Sequence, residues 1–250
     1  VTDLPRVIAL EHIHNLRDLG GYPTADGRRT RWRTLFRADG LHRLSGDDLE
    51  DVRALGLRTV VDLRSDRELA ERGRFPVAEH PVSYHHVSLI DVTWDQEEAT
   101  GLELDVAGFL LEKYLEILES GEHRLAELFQ VLALPEALPA VFHCAAGKDR
   151  TGLVAALVLS ALGVADDVVV ADYALTGEAM VRMRRWAEAT SPEMAEAFRT
   201  QPAAHLAAAP GAMAGVLGVL RDVHGSTRDY LRNVGVSNAV LFDLEDALLG

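Results

Sequence analysis

Four short runs in the first 144 positions are apolar and rich in β-branched or aromatic residues. They are TLFRA (34–38), RTVVDLR (58–64), SYHHVSL (83–89) and AVFHC (140–144), and their composition predicts strands. Between them the apolar positions fall at helical spacing. SGDDLEDVRALG predicts a helix with Ser45 as N-cap, Asp48 three residues on and Gly56 as the terminating glycine. Leu104, Ala107, Leu111, Tyr114, Leu115 and Leu118 recur on one helical face. Strands alternating with helices predict an α/β fold, with a central, mostly parallel sheet flanked by helices.

Beyond residue 150 the pattern becomes helical. TGLVAALVLSALG (151–163) is apolar on nearly every side and predicts a buried helix. ADDVVVADYAL (165–175) predicts the next, despite three consecutive valines. Residues 176–209 are rich in Ala, Glu, Arg and Met, and Pro192, Pro202 and Pro210 divide them into pieces. STRDYLRNVG and SNAVLFDLEDALLG each open on a serine cap, Ser226 and Ser237. No repeat, low-complexity tract or linker is evident, so residues 1–250 are expected to form one domain with a helical elaboration over about 176–225.

At 250 residues and 48% hydrophobic composition, the chain has ample material for a core. Cys144 is its one cysteine, which rules out an intramolecular disulfide and fits a reducing compartment. VTDLPRVIALEHIHNLRDLGG has no basic stretch followed by a continuous apolar one. No run reaches the roughly 18 to 20 apolar residues that span a bilayer. The expected location is the cytoplasm, or outside the cell by a route that uses no visible signal peptide. The net charge of −14 argues against nucleic-acid partners and against stable association with an anionic membrane.

The candidate chemistry lies in HCAAGKDRTG (143–152), between the strand AVFHC and the buried helix. A loop that feeds a helix N-terminus points several backbone N–H groups into one concavity suited to a tetrahedral oxyanion. Ala145, Ala146, Gly147, Lys148, Asp149, Arg150 and Thr151 are the candidate phosphate-binding residues. The positive end, with Lys148 and Arg150 nearby, favours a thiolate at Cys144. Arg150 can fork onto two phosphate oxygens, Gly147 permits unusual backbone angles, and Thr151 can hydrogen-bond the sulfur. A nucleotide-binding loop of the GxxxxGK[ST] type is excluded, because Phe142 and Asp149 occupy two of its required positions. His143 beside Cys144 is a poor chelate, so no metal and no cofactor is expected.

This loop resembles the signature of cysteine-dependent tyrosine and dual-specificity phosphatases. Its Gly-Lys-Asp-Arg centre resembles a bacterial branch that acts on phosphoproteins and, in some members, phosphoinositides. NLRDLGGY (15–22), LFRADGLHRLS (35–45), LGLRTVVDLRSDRE (55–68) and YLRNVGVS (230–237) agree in order with the secreted actinobacterial "tyrosine phosphatase B" type. The resemblance implies a phosphocysteine intermediate on Cys144, with charge on the transferring group stabilised by Arg150 and the loop amides. It implies a phosphorylated protein or peptide as substrate, with a phosphoinositide as the alternative, and C-terminal helices that form a lid. It also implies a catalytic part for Asp149, while Asp91 matches the place where the family offers a mobile aspartate; which of them handles the proton stays open at this point.

Around the loop, His143 is expected to hydrogen-bond locally. Arg64 is expected either to touch substrate or to pair with Asp62 or Glu68. Asn15, Arg17, Asp18, Gly20 and Gly21 are expected to brace the site. Arg37 is followed by Ala38, where many relatives carry serine. Ala145 lacks the basic character that phosphoinositide phosphatases often place after the cysteine. A non-catalytic phosphate-binding module and a sulfur-transfer enzyme are the competing readings of the same loop.

Overall fold

The computed structural model describes residues 5–90 and 105–250. Five strands form one sheet: β1 (Arg17–Asp18), β2 (Leu35–Ala38), β3 (Thr59–Asp62), β4 (Ser83–His86) and β5 (Ala140–His143), in the order β1-β2-β5-β3-β4. Only β1 runs antiparallel; β2, β5, β3 and β4 are parallel. The register sets Ala38, His143 and Asp62 in one row. Three parallel strands therefore end together, and Cys144 emerges at the carboxyl edge where α/β sheets place ligands.

Alternation along each strand splits the core between the two faces. Phe36, Val60 and Val141 point to one side, with Leu41, Leu49, Val52 and Phe75. Leu35, Val61, Ala140 and Phe142 point to the other, against the larger helical layer. The first face is covered by α1 (Gly46–Arg53), preceded by a short 3₁₀ turn at Leu41–Arg43. Ser45 sits at the N-cap of α1 but makes no side-chain cap bond. Asp48 is engaged elsewhere, accepting hydrogen bonds from the Glu11 and His12 amides at 2.8 Å each.

The remaining helices are α2 (Asp66–Arg72), α3 (Val106–Ser120), α4 (Glu122–Leu132), α5 (Asp149–Ala161), α6 (Asp166–Ala174), α7 (Thr176–Thr190), α8 (Pro192–Thr200), α9 (Ala203–Leu206), α10 (Pro210–His224), α11 (Thr227–Asn233) and α12 (Asn238–Leu248). Ser226 and Ser237 cap α11 and α12 as expected, each accepting from the backbone amide three residues on. Pro192 and Pro210 open α8 and α10 at their first positions, where a missing N–H costs nothing. α5 lies at the centre, buried along almost its whole length between the sheet and α3, α6, α10 and α11. Among the described residues no helix is long and apolar enough to cross a membrane.

Charge also enters this interior. Asp172 on α6 accepts from Arg17 Nε at 3.0 Å, Arg37 Nη1 at 2.7 Å and the Tyr22 hydroxyl at 2.9 Å. Burial alone would raise Asp172, but Arg17 and Arg37 outweigh it and hold the carboxyl far below its usual range. Glu68, with its carboxylate on Arg150, is similarly opposed by burial yet held at about 2. Burial and the charges of Arg43 and Arg64 push His42 down to about 3.

Two outcomes follow. Asp172→Ala leaves two buried guanidiniums without their anion and should cost about 3–5 kcal/mol, read as a lower urea midpoint. The second concerns acid. Groups whose folded pKa is depressed stabilise the fold above their unfolded value, and that stabilisation is lost as pH falls through the folded one. Stability should therefore begin to erode below the ordinary histidine value of 6.5 through His42. It should fall more steeply from the ordinary glutamate value of 4.5 down to about 2 through Glu68. Urea titrations at stepped pH check this, and Glu68→Gln should flatten the lower part of the curve.

Candidate active site

The loop from Cys144 to Lys148 leaves β5 and enters α5 directly. Its shape is set by what its carbonyls do. Ala145 O accepts from the Gly40 amide at 3.0 Å, and Ala146 O accepts from Asn15 Nδ2 at 3.0 Å. Gly147 O accepts from Asn15 Nδ2 and Arg37 Nη2, each at 2.9 Å. In a planar trans peptide the carbonyl and the following N–H point opposite ways. Three carbonyls turned out into the scaffold therefore turn the amides of Ala146, Gly147 and Lys148 inward. The first amides of α5 have no partner within the helix and extend the same cradle. Gly147 makes the bend at φ +66°, and a Cβ there would meet Ala38 O at 2.6 Å. No other residue fits without moving β2.

The bracing residues are held in turn. Arg17 Nη1 donates to Asn15 Oδ1, and Asp39 accepts from the Asn15 amide at 2.8 Å and from His14 N. This confirms a bracing position for Asn15 and Arg17. Asp18 and the two glycines serve the same segment: Asp18 accepts from the Gly20 and Arg33 amides, and Gly20 and Gly21 pack against Trp32 too closely for a Cβ.

Cys144 is buried at the floor of this cradle, 2% exposed. Arg150 stands beside it with its guanidinium on Glu68, Nη1 to Oε2 at 2.5 Å and Nη2 to Oε1 at 2.9 Å. Nη1 also reaches Leu63 O at 3.4 Å. Of the five guanidinium N–H donors, this leaves Nε–H and the second Nη2–H, a side-on fork matched to two phosphate oxygens. Burial lowers and Glu68 raises Arg150; the carboxylate wins, and the cation is secure. Glu68 is itself fixed by a reciprocal cap, accepting from Ser65 N at 2.9 Å while Ser65 caps α2.

Some of the other candidates meet the sequence expectations and some depart from them. Arg64 takes the ion-pair alternative: it forks onto Asp62, with Nη2 to Oδ2 at 2.6 Å, donates to Gly73 O at 2.8 Å and exposes no side-chain surface. Lys148 turns away from the cradle floor. Its ammonium donates to His205 O at 2.7 Å and Ala207 O at 2.8 Å, and lies 3.2 Å from Asp149 Oδ1. Two of its donors are thus spent on backbone carbonyls, tying the loop to the segment around α9. The Thr151 hydroxyl is buried and makes no hydrogen bond in this structure, so the expected bond to sulfur is not formed. His143 is fully buried, with Nδ1 3.2 Å from Cys144 O and Nε2 3.5 Å from Asp62. Burial lowers its pKa, which keeps it neutral near pH 7.

The two proton-handling candidates separate. Asp149 is the first residue of α5, its side chain 21% exposed, and accepts from the Tyr114 hydroxyl at 2.7 Å. Asp91 lies outside the described residues. Tyr114, Tyr173 and Asp172 complete the surroundings and carried no motif of their own in the sequence. Tyr114 was legible only as an apolar helix position, and Asp172 only as part of a helix. Among the described residues, no group of three or more His, Cys, Asp or Glu is placed to hold a metal ion.

Comparison with known proteins agrees with this geometry. The triple specificity protein phosphatase PtpB of Mycobacterium tuberculosis is 29% identical over 273 aligned positions, covering 94% of this chain and 96% of that protein. A tyrosine-protein phosphatase of Nostoc commune is 27% identical over 216 positions, 84% of this chain and 72% of that one. A Cupriavidus necator protein that carries a tyrosine-protein phosphatase name is 36% identical over 171 positions, 66% of this chain but 61% of its own length. A family model described as the tyrosine phosphatase family matches residues 8–250. With that match running almost the full length, and the cysteine loop inside it, the chain belongs to the tyrosine phosphatase family.

Proposed function

We propose that the chain hydrolyses phosphomonoesters, with phosphotyrosine in a protein or peptide as its preferred substrate. The observation that carries this is the set of amides from Ala146 to Lys148 turned inward above a buried thiol, with the free edge of Arg150 beside them. In the first step the Cys144 sulfur attacks phosphorus in line. The S–P bond forms as the bond to the leaving oxygen breaks, and that oxygen takes a proton from Asp149. In the second step water gives a proton to the Asp149 carboxylate and attacks phosphorus, and the S–P bond breaks to release phosphate and the sulfur anion. The amides and Arg150 bear the charge on the equatorial oxygens throughout, which is where phosphoryl transfer needs it.

Three features support phosphotyrosine over a membrane phosphoinositide. Cys144 is 2% exposed, a depth that favours a phosphate carried on a long, rigid stem. Ala145 adds no positive charge after the cysteine, and Lys148 is held by backbone carbonyls. The net charge of −14 opposes approach to an anionic bilayer.

Side-by-side kinetics on a phosphotyrosine peptide and a short-chain phosphoinositide, with Cys144→Ser as the blank, test this reading. The peptide should have kcat/KM at least tenfold higher, and a clear preference for the phosphoinositide would overturn it. Glu68→Gln should weaken the bidentate hold on Arg150 and lower kcat/KM by about 10- to 100-fold, less than the roughly 100- to 1,000-fold cost of removing a charge-stabilising donor outright. Its KM for an aryl phosphate should rise, since the guanidinium loses its fixed direction.

A further inference from the structure

Asp149 is gripped from two other helices. Tyr114 on α3 donates to its Oδ1 at 2.7 Å, and Tyr173 on α6 meets the Tyr114 hydroxyl at 2.6 Å. Both rings are buried, 0% and 1% exposed, and they meet edge to face. One turn along α5 from Asp149, Gly152 makes room for this pair: a Cβ there would meet the Tyr173 ring at 3.0 Å.

The order of the hydrogens follows from chemistry. An ionised carboxylate only accepts, so the single Tyr114 hydrogen goes to Asp149. The Tyr114 oxygen is then the acceptor, and Tyr173 supplies the hydrogen between the two phenols. Burial, then the Asp149 charge, raises both Tyr114 and Tyr173 well above the ordinary phenol value of 10, so both stay protonated donors. The charged groups facing this set are Lys148, 3.2 Å from the same Oδ1, Arg150 next along α5, and Arg37 near Tyr173. The Tyr114 hydrogen bond and the Lys148 contact both fall on Oδ1, and Oδ2 makes no hydrogen bond among the described residues.

We propose that Tyr114, oriented by Tyr173, is a positioning residue that holds the Asp149 carboxyl by Oδ1 so that Oδ2 is presented to the leaving oxygen. This rests on the reading of Asp149 as the proton donor. The phenolic protons stay in place in both steps: Oδ2 gives its proton to the leaving oxygen and later receives one from water.

The experiment compares Tyr114→Phe, Tyr173→Phe and Asp149→Asn with the parent on phenyl phosphate and 2,4-dinitrophenyl phosphate. The second leaving group departs without a proton, so loss of acid catalysis is seen only on the first. Tyr114→Phe should lose about tenfold in kcat on phenyl phosphate and less than about threefold on the dinitrophenyl ester, a part of the roughly 100- to 10,000-fold that general acid catalysis supplies. Asp149→Asn should show the same leaving-group dependence with a larger loss on phenyl phosphate. Tyr173→Phe should show it with a smaller one. If Asp149→Asn responds equally to both esters, the proton donor lies elsewhere and the underlying reading falls with the inference. If Asp149→Asn discriminates between them but Tyr114→Phe keeps the parent leaving-group response, only the inference falls. Should Tyr114→Phe fail to fold, Tyr173→Phe decides, and a parent-like leaving-group response there overturns the proposal.

Discussion

Everything chemical in this molecule depends on three backbone carbonyls being turned away from the nucleophile. Left alone, a loop of five residues between a strand and a helix has no reason to aim its amides at one point. Here Gly40, Asn15 and Arg37 each hold a carbonyl of residues 145–147 from outside, and the planarity of the peptide does the rest. Concentrating N–H dipoles this way is unfavourable until an anion arrives. The cost falls on the scaffold, which is why the bracing groups are rigid and buried rather than solvent-facing.

Buried charge is the second layer of that scaffold. Arg17 and Arg37 share Asp172, Arg64 takes Asp62, and Arg150 takes Glu68. Such pairs are weak sources of net stability, since desolvation consumes most of their attraction. Their value here is directional. A guanidinium fixed on one carboxylate can present its other edge at a set angle, and Arg150 does so while Arg37 grips the loop. The first pair of arginines leaves one surplus positive charge beneath the loop, close to the sulfur that must become an anion.

Much of this was legible in the residues. The strands at 35–38, 59–62, 83–86 and 140–143, the buried α5 and the serine-capped α11 and α12 follow from local patterns of period, capping and apolar runs. The two-residue β1 is too short for period to mark, and its NLRDLGG segment reads locally as a polar turn. Helices α2 and α4 carried weaker signals, although Ser65 and Glu68 form a capping box that the spacing contains. Within the site, Cys144, Gly147 and Arg150 stand out because their chemistry is local to one loop. Tyr114 and Asp172 do not, because their meaning depends on partners 35 and 135 to 155 positions away in sequence. The direction of Lys148 was likewise hidden: a lysine reads the same whether its partner is a phosphate or a pair of carbonyls.

The distance in sequence between those partners bears on how the molecule comes into being. The nucleophile lies mid-chain, but its cradle is held by Asn15 and Arg37, which are made long before it, and through them by Asp172, made after it. The carbonyls that hold Lys148 come later still, at residues 205 and 207. A ribosome-bound chain that has just exposed Cys144 therefore has the groups that grip its loop carbonyls, but neither the Asp172 that pairs with two of its bracing arginines nor the carbonyls that hold Lys148. The complete cradle waits on the helices that follow.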